Sequence, residues 1–388
     1  MDMSSFQYIS SPLRLFHGPA SLENLGRELD RVKSKRAVIV CGPSMARHDA
    51  LLDHVCGAMG DRYAGLVAQV RAHSPVPAVE AAADALKQMQ ADAVVAVGGG
   101  SAIVTARAAS ILAAEGRDVR ALCTTRDQKG GLMSPKLLAP KLPQFIIPTT
   151  PTTAAVKAGS AVFDPVRGER LALFDPKTRA HSVFIDPRML LSAPRGLLVS
   201  AALNTFVTAI EGLMSRIGNP LADAQLMHAV RLLGKHLAEP VGRDDAAVRG
   251  EMALAAVLCG QGTDNTGAGM TTVLGHAIGA RHAMENGTAN AIVLAHVMRF
   301  NAEHASTGLA KVAAALSLAP GDALSAVANA VRAIFAALGV PSRLRDAGIP
   351  ADALAAIAEL GMGDWFLSGN PRLVSNPGEL QTVLEQAW

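Results

Sequence analysis

Cysteine is sparse in this 388-residue chain, and Cys41, Cys56, Cys123 and Cys259 share no paired spacing. That excludes a disulfide framework or zinc knuckles and points to reduced thiols in the cytoplasm. Long apolar runs are missing too: stretches such as Ala93 to Ala106, which stops at Arg107, are cut by Gly or Arg before the ~20 residues a membrane span needs. The opening Met-Asp-Met-Ser-Ser-Phe lacks the basic start and apolar stretch of a signal peptide. No long basic block exists, and the one dense group, Arg31, Lys33, Lys35 and Arg36, reads as a solvated helix end, so neither nucleic acid nor membrane is an expected partner. Aromatic residues amount to 4% and charged ones to 18%, with a formal net charge of +3, which is far from the composition of a disordered chain. What is abundant is Ala, Leu and Val, within an apolar share of 50%. Such a chain favours helices packed closely on each other and on a buried parallel sheet, and its length suits two domains.

The first half alternates helical patterns with short β-rich runs. Ser21 to Val32 reads as a helix with a Ser N-cap and Glu23 in its first turn, and Pro77 to Gln90 as another. Ala37–Val40, Ala93–Val97, Phe145–Ile147 and Ser182–Ile185 read as strands. This alternation predicts an α/β domain with a parallel sheet over residues 1–190. From Ser192 to about Leu360 the sequence is Ala/Leu/Met-rich at helical spacing, broken at Gly218-Asn219-Pro220, Glu239-Pro240 and Gly339-Val340-Pro341. An all-helical domain is therefore expected over 191–388.

Two turns carry chemistry. Strand Ala93–Val97 runs directly into Gly98-Gly99-Gly100-Ser101 and then a helix, which turns successive backbone N–H groups outward at a positive helix end and suits phosphate. Glycine is needed where a Cβ would block the approach of a pyrophosphate. The spacing is not the Rossmann G-x-G-x-x-G, and an unliganded strand-to-helix turn would look the same. Pro148-Thr149-Thr150-Pro151-Thr152-Thr153 follows the next strand, where hydroxyls suit a cofactor's phosphate or ribose but also ordinary turn chemistry. Two such turns on one sheet strengthen the reading of a dinucleotide crossing the strand ends.

These segments resemble the iron-containing alcohol dehydrogenase family, whose wider relatives include glycerol dehydrogenase and maleylacetate reductase. Gly98-Gly99-Gly100-Ser101 stands for its GGGS turn, and Ile147-Pro148-Thr149-Thr150 for its IPTT segment. Phe184-Ile185-Asp186-Pro187, the stretch from Asn290 to Asn301 and Asn370-Pro371-Arg372 are similar to further motifs in the right order. The opening, Phe6-Gln7-Tyr8 to Phe16-His17-Gly18, is somewhat similar to maleylacetate reductases. The resemblance implies a dinucleotide-binding α/β domain, an all-α domain, and a homodimer or higher homo-oligomer.

It also implies a divalent metal held by one Asp and three His, and here the sequence departs. The family's D-x-x-x-H-A-I-E segment appears as Asn204 to Glu211, with Asn204 at the Asp position and Thr208 at the His position. Its H-x-x-x-H-P-L-G stretch appears as Thr272 to Gly279, and its P-H-G as Glu285-Asn286-Gly287. Thr272 and Asn286 thus replace the other two ligands, and only His276, not a ligand in the family, is kept. Two Asn and two Thr offer no charge to offset dehydration of a transition metal, so no metal is expected. Asp264, His276, His282 and Glu285 do not rebuild a site, because the two histidines fall on different helix faces. In the cofactor half the family's Asp and Lys after GGGS become Val104 and Arg107, and Thr153-Ala154-Ala155-Val156 replaces T-G-S-E. A lysine near the nicotinamide end becomes Arg170. At the end of the first predicted strand Gly42 and Ser44, with Arg47 nearby, stand where an acidic residue often selects NAD, so NADP suits this chain at least as well as NAD.

The expected function is a metal-independent NAD(P)(H)-dependent oxidoreductase acting on a small activated carbonyl or oxo acid, a maleylacetate reductase-like activity included. Asn204, Thr208, Thr272 and Asn286 would form a neutral hydrogen-bonding pocket, with His276 donating or relaying a proton and Gly98 to Ser101, Thr149, Thr150, Thr153, Gly42, Ser44 and Arg170 binding the cofactor. A non-redox elimination or isomerisation on the same scaffold, and a non-catalytic NAD(P)-binding homologue, are the alternatives.

Overall fold

The computed structural model of the protein describes residues 5–116, 118–127, 131–238, 245–282 and 284–388. The Glu239-Pro240 break falls outside them. The chain divides into two compact units, Ser11–Ala193 and Pro194–Trp388, the second joined by residues before Ser11 through a bond from the Ile9 amide to Asn265 Oδ1 at 3.1 Å.

The first unit contains β1 (Arg14–His17), β2 (Ala37–Cys41), β3 (Tyr63–Val67), β4 (Ala93–Gly98), β5 (Thr125–Arg126), β6 (Leu132–Met133), β7 (Gln144–Pro148), β8 (Gly159–Asp164), β9 (Glu169–Phe174) and β10 (Ala180–Ile185). Six of these form one parallel sheet in the order β1-β10-β7-β4-β2-β3, while β5 pairs with β6 and β8 with β9 antiparallel. Helices α1 (Leu25–Arg31), α2 (Pro43–Ala46), α3 (Asp49–Met59), α4 (Val76–Gln88), α5 (Gly100–Glu115) and α6 (Pro187–Leu191) complete the unit. Every residue of β2, β4 and β7 is buried, because parallel strands covered on both faces need unbroken apolar runs. Ile39 and Cys41 pack with Leu25, Leu29, Val55 and Met59, and Val38 and Val40 turn to the opposite, equally buried face. All four cysteines are free, and burial pushes the Cys41 and Cys123 thiols up to about 11.

The predicted Ser N-cap does not operate: Ser21 opens a 3-10 turn, Ser21–Asn24, with no side-chain cap, and α1 begins only at Leu25. Ser21 is itself buried, so its hydroxyl is packed rather than presented to the helix end.

The second unit is helical: α7 (Arg195–Met214), α8 (Pro220–Ala238), α9 (Ala246–Thr266), α10 (Met270–His282), α11 (Asn286–Phe300), α12 (Ala302–Ala315), α13 (Ala323–Ala337), α14 (Leu354–Met362) and α15 (Pro377–Ala387). Side-chain caps set several starts; Asp245 accepts from Val248 N at 2.9 Å and Asp322 from Leu324 N at 3.1 Å. One apolar core gathers around Phe206, Leu226, Met298 and Val331, a second around Val273, Ile278, Val293 and Val383. Among the described residues one helix, α7, is long and apolar enough by length and composition alone to cross a membrane. Its Leu203, Phe206, Val207 and Ile210 are buried in the first core, which accounts for that composition.

Candidate functional site

In the α/β unit the chain leaves β2 toward β3 on one side and returns to β4 on the other, which makes the ends of β2 and β4 the topological switch point where ligands bind in open α/β sheets. Both ends carry glycine. β4 closes at Gly98, whose φ of +145° favours glycine, and Gly99 caps α5. A Cβ on Gly99 would lie 3.1 Å from Thr150 Oγ1, and one on Gly100 3.2 Å from Thr152 Oγ1, so the turn stays open only without side chains. No acidic residue occupies the first turn of α5, which leaves its positive end uncompensated.

The threonine turn is brought alongside: Gly98 pairs with Pro148 across β4 and β7, and Thr149 N donates to Gly98 O at 3.1 Å. Thr149 and Thr150 are buried there; Thr153 opens a 3-10 turn that Thr152 caps by accepting from Ala154 N at 3.3 Å. Ser101 Oγ accepts from His73 N at 3.2 Å, and Ser74 Oγ donates to Ser101 O at 3.1 Å. His73 and Ser74 both have positive φ, +61° and +49°. The sequence reading gave them no part, since their partner lies 27 residues or more away. Gly42 ends β2 as the N-cap of α2, and Ser44 is exposed on that helix. Arg170 sits on β9 opposite Phe163, not on any of these strand ends. Arg107, where the resemblance implies a lysine, is buried and donates to Gly159 O at 2.7 Å and Ala154 O at 2.5 Å, tying α5 to the segment that leads into β8. The strand ends therefore offer glycine cradles, threonine hydroxyls and backbone N–H groups suited to a dinucleotide's pyrophosphate.

In the helical unit, three helices each contribute a pair of residues four apart: Asn204 and Thr208 on α7, Thr272 and His276 on α10, Asn286 and Asn290 on α11. Asn204, Thr208 and Glu211 follow one face of α7, and its two ends are anchored to the neighbouring helices. Asn290 Nδ2 donates to Asn204 Oδ1 at 2.9 Å. Glu211 accepts from Thr271 N at 2.6 Å, from Thr272 N at 3.0 Å and from the Thr272 hydroxyl at 2.5 Å. Burial pushes the Glu211 carboxyl above the usual range, against these bonds, which favour its charged form. The Thr208 hydroxyl donates to Asn204 O at 2.7 Å.

On α10, Gly275 and Gly279 face the asparagines of α11. A Cβ on Gly275 would lie 1.8 Å from Asn290 Oδ1, and one on Gly279 2.7 Å from Asn286 Oδ1. His276 Nδ1 lies 2.7 Å from Asp364 Oδ2, while Asp364 Oδ1 accepts from Phe366 N at 3.0 Å. Donation of the Nδ1 proton to that carboxylate leaves the lone pair of the neutral ring on Nε2. Asn290, Glu211 and Asp364 are the partners that sequence reasoning missed. The one signal for Asn290 was the matching four-residue spacing of Gly275/Gly279 and Asn286/Asn290.

As a metal site this donor set does not fit. Asn204 Oδ1 already accepts a hydrogen bond, both threonine hydroxyls are engaged, and none of the four positions supplies carboxylate, imidazole or thiolate. Among the described residues no group of three or more His, Cys, Asp or Glu gathers where it could hold a metal ion.

Comparison with known proteins places both halves in one family. Residues 12–187 match the profile described as iron-containing alcohol dehydrogenase, and residues 198–388 that of the Fe-containing alcohol dehydrogenase family, C-terminal. Lactaldehyde reductase of Escherichia coli (strain K12) is 33% identical over 290 residues, 73% of each chain. Maleylacetate reductase of Sphingobium indicum is 27% identical over 387 residues, 97% of this chain and 96% of that one. Among solved structures, 1,3-propanediol oxidoreductase superposes with a TM-score of 0.89 at 23% identity, covering 99% of this chain and 100% of the other.

Proposed function

The chain belongs to the iron-containing alcohol dehydrogenase family and is an NAD(P)-dependent oxidoreductase of that family; from that premise we propose that it works without a bound metal, reducing small activated carbonyl compounds such as oxo acids and activated aldehydes. The observation that carries this reading is the replacement of all four implied ligands by Asn204, Thr208, Thr272 and Asn286, with the hydroxyls and the Asn204 oxygen committed to bonds inside the protein. A divalent cation would contribute several kcal/mol by polarising the carbonyl, roughly what one or two well-placed donor groups supply. Without it, substrates whose carbonyl is already electron-poor are favoured over simple alcohols. Similarity to maleylacetate reductase over 97% of the chain supports an oxo-acid substrate.

The cofactor, when bound, supplies hydride. Gly98 to Ser101, Thr149, Thr150 and Thr153 hold its phosphates and ribose, and Gly42 and Ser44 meet its adenosine end. No carboxylate stands at that end to repel a 2′-phosphate, so NADPH is accepted as well as NADH. In the helical unit Asn204 and Asn286 hydrogen-bond the substrate oxygens. His276, its Nδ1–H held by Asp364, acts in its protonated form and gives the proton on Nε2 to the oxygen as negative charge develops there, which with the hydride completes the change from C=O to CH–OH and leaves the ring neutral. The protein is read as a cytoplasmic homodimer or larger homo-oligomer.

The test is NADPH and NADH oxidation with glyoxylate, succinic semialdehyde and maleylacetate after exhaustive treatment with EDTA. Turnover that survives chelation and collapses in His276→Ala is expected. A strict need for added Fe²⁺ or Zn²⁺ would refute metal independence, and product formed without nicotinamide oxidation would favour an elimination or isomerisation.

A further inference from the structure

Asn290 is fully buried, and its two amide ends meet different surroundings. Nδ2 donates to Asn204 Oδ1 at 2.9 Å; Oδ1 is buried without a hydrogen-bond partner among the described residues. That oxygen rests on Gly275: an alanine Cβ there would lie 1.8 Å from it, so it sits within about 3.3 Å of the glycine Cα, the range of a Cα–H···O contact. The opposite orientation would press an NH2 group, with two protons to place, against a methylene that accepts nothing. A buried carbonyl oxygen lacking a bond is more readily tolerated than a buried N–H lacking its acceptor. Gly275 thus decides which way the Asn290 amide lies.

The consequence passes to Asn204. Because its oxygen must accept from Asn290, its own Nδ2 is turned away, and no described residue accepts a hydrogen bond from it. Asn204 is half-buried on the face of α7 shared with Thr208, so this is a neutral donor pointing out of the packed core. We propose that Asn290, seated on Gly275, is the positioning residue that makes Asn204 a hydrogen-bond donor to the substrate's carbonyl oxygen, the group that stabilises developing negative charge there. The proposal rests on the reading of this site as one for an activated carbonyl. It adds which atom polarises the carbonyl and which two residues, neither touching substrate, set it.

The orientation can be read on the unmodified protein, with no substrate, from the side-chain amide signals of deuterated, ¹⁵N-asparagine-labelled protein, assigned through their loss in Asn204→Asp and Asn290→Ala. The Asn290 NH2 pair is expected to be protected from solvent exchange and the Asn204 pair to exchange quickly. An Asn204 pair protected from exchange, as it would be if it donated to the buried Asn290 oxygen, overturns the proposal whether or not the enzyme is active. Kinetics then separates positioning from bulk structure. Asn204→Asp still accepts from Asn290 but donates nothing, and should lower kcat for glyoxylate about a hundredfold or more, as loss of an oxyanion donor does. Asn290→Ala should lower kcat at least about tenfold, change KM less, and keep the wild-type thermal shift with NADPH. In the Asn204→Asp background it should cost nothing further, because it acts only through Asn204. Additive losses would contradict the proposal. A wild-type protein that reduces none of the carbonyls would instead sink the functional reading and leave the exchange experiment to decide on Asn290.

Discussion

Gly275→Ala tests the packing that supports the helical site. Its Cβ would arrive 1.8 Å from Asn290 Oδ1, 2.8 Å from Asn290 Cγ and 3.5 Å from Asn286 O, so Asn290 must leave its place or the two helices must part. Overpacking a close site costs about 1–3 kcal/mol. Displacing Asn290 forfeits its bond to Asn204, worth about 1 kcal/mol, and alanine in a helix interior returns about 1 kcal/mol over glycine. The net expectation is a loss of about 1–3 kcal/mol. Gly196→Ala is the control in the same unit: Gly196 is exposed on α7 with nothing within 4 Å of an added Cβ, and the change should stabilise by about 0.4–1 kcal/mol. Denaturant unfolding followed by helical circular dichroism measures both. Adding Asn290→Ala to Gly275→Ala should recover much of the loss, since the side chain in the way is gone. Equal stability of Gly275→Ala and Gly196→Ala would refute the reasoning.

Asp364→Asn should lower kcat by about ten- to a hundredfold with a smaller change in KM, and should shift the pH–rate profile, because an amide can no longer fix the His276 tautomer; an unchanged profile would remove His276 from proton transfer. Glu28 is enclosed, and burial raises its carboxyl, but bonds from Arg14 at 2.6 Å and Ser182 at 2.9 Å and the charges of Arg14 and Arg31 outweigh this and leave it below the usual range. Its stabilisation is therefore present above the ordinary glutamate pKa and lost as pH falls through the lowered one. Glu28→Gln should accordingly melt lower than wild type at pH 7, with the gap closing in acid; a gap that widens in acid would invert that sign. Gly42→Asp places a carboxylate at the end of β2, where φ is ordinary and only Val70 O lies as near as 4.0 Å. It should raise KM for NADPH about tenfold or more and leave NADH little changed; equal effects on both would place the adenosine end elsewhere.

The parts of the fold legible in the sequence were those whose environment leaves one pattern. β2, β4, β7 and β10 are apolar runs because both faces are covered, and α5 announces itself through the glycines that precede it. β1, at one sheet edge, is Arg-Leu-Phe-His with exposed ends, and β3, at the other, is half-exposed over most of its length, so neither shows a strand period. β8 and β9 escaped for a related reason: β9 begins Glu-Arg and is only partly covered. Within the site, the phosphate turn and the altered ligand positions could be found by motif. Their partners could not, because Asn290, Asp364 and Glu211 meet Asn204, His276 and Thr272 across separations of 86, 88 and 61 residues that only the packing of α7, α10, α11 and the segment after α14 closes. Glu211 lies within the altered ligand segment of α7, yet nothing in its sequence neighbours shows that it faces two backbone amides.

Under the proposed function this member of the family does its chemistry without a bound divalent metal. The most direct measurement of this is metal analysis of the purified protein by mass spectrometry beside carbonyl-dependent NADPH oxidation before and after chelation. Metal well below one equivalent per chain with turnover unchanged is the result predicted. One tightly held Fe²⁺ or Zn²⁺ per chain, with activity lost on its removal and restored on its return, would contradict the account.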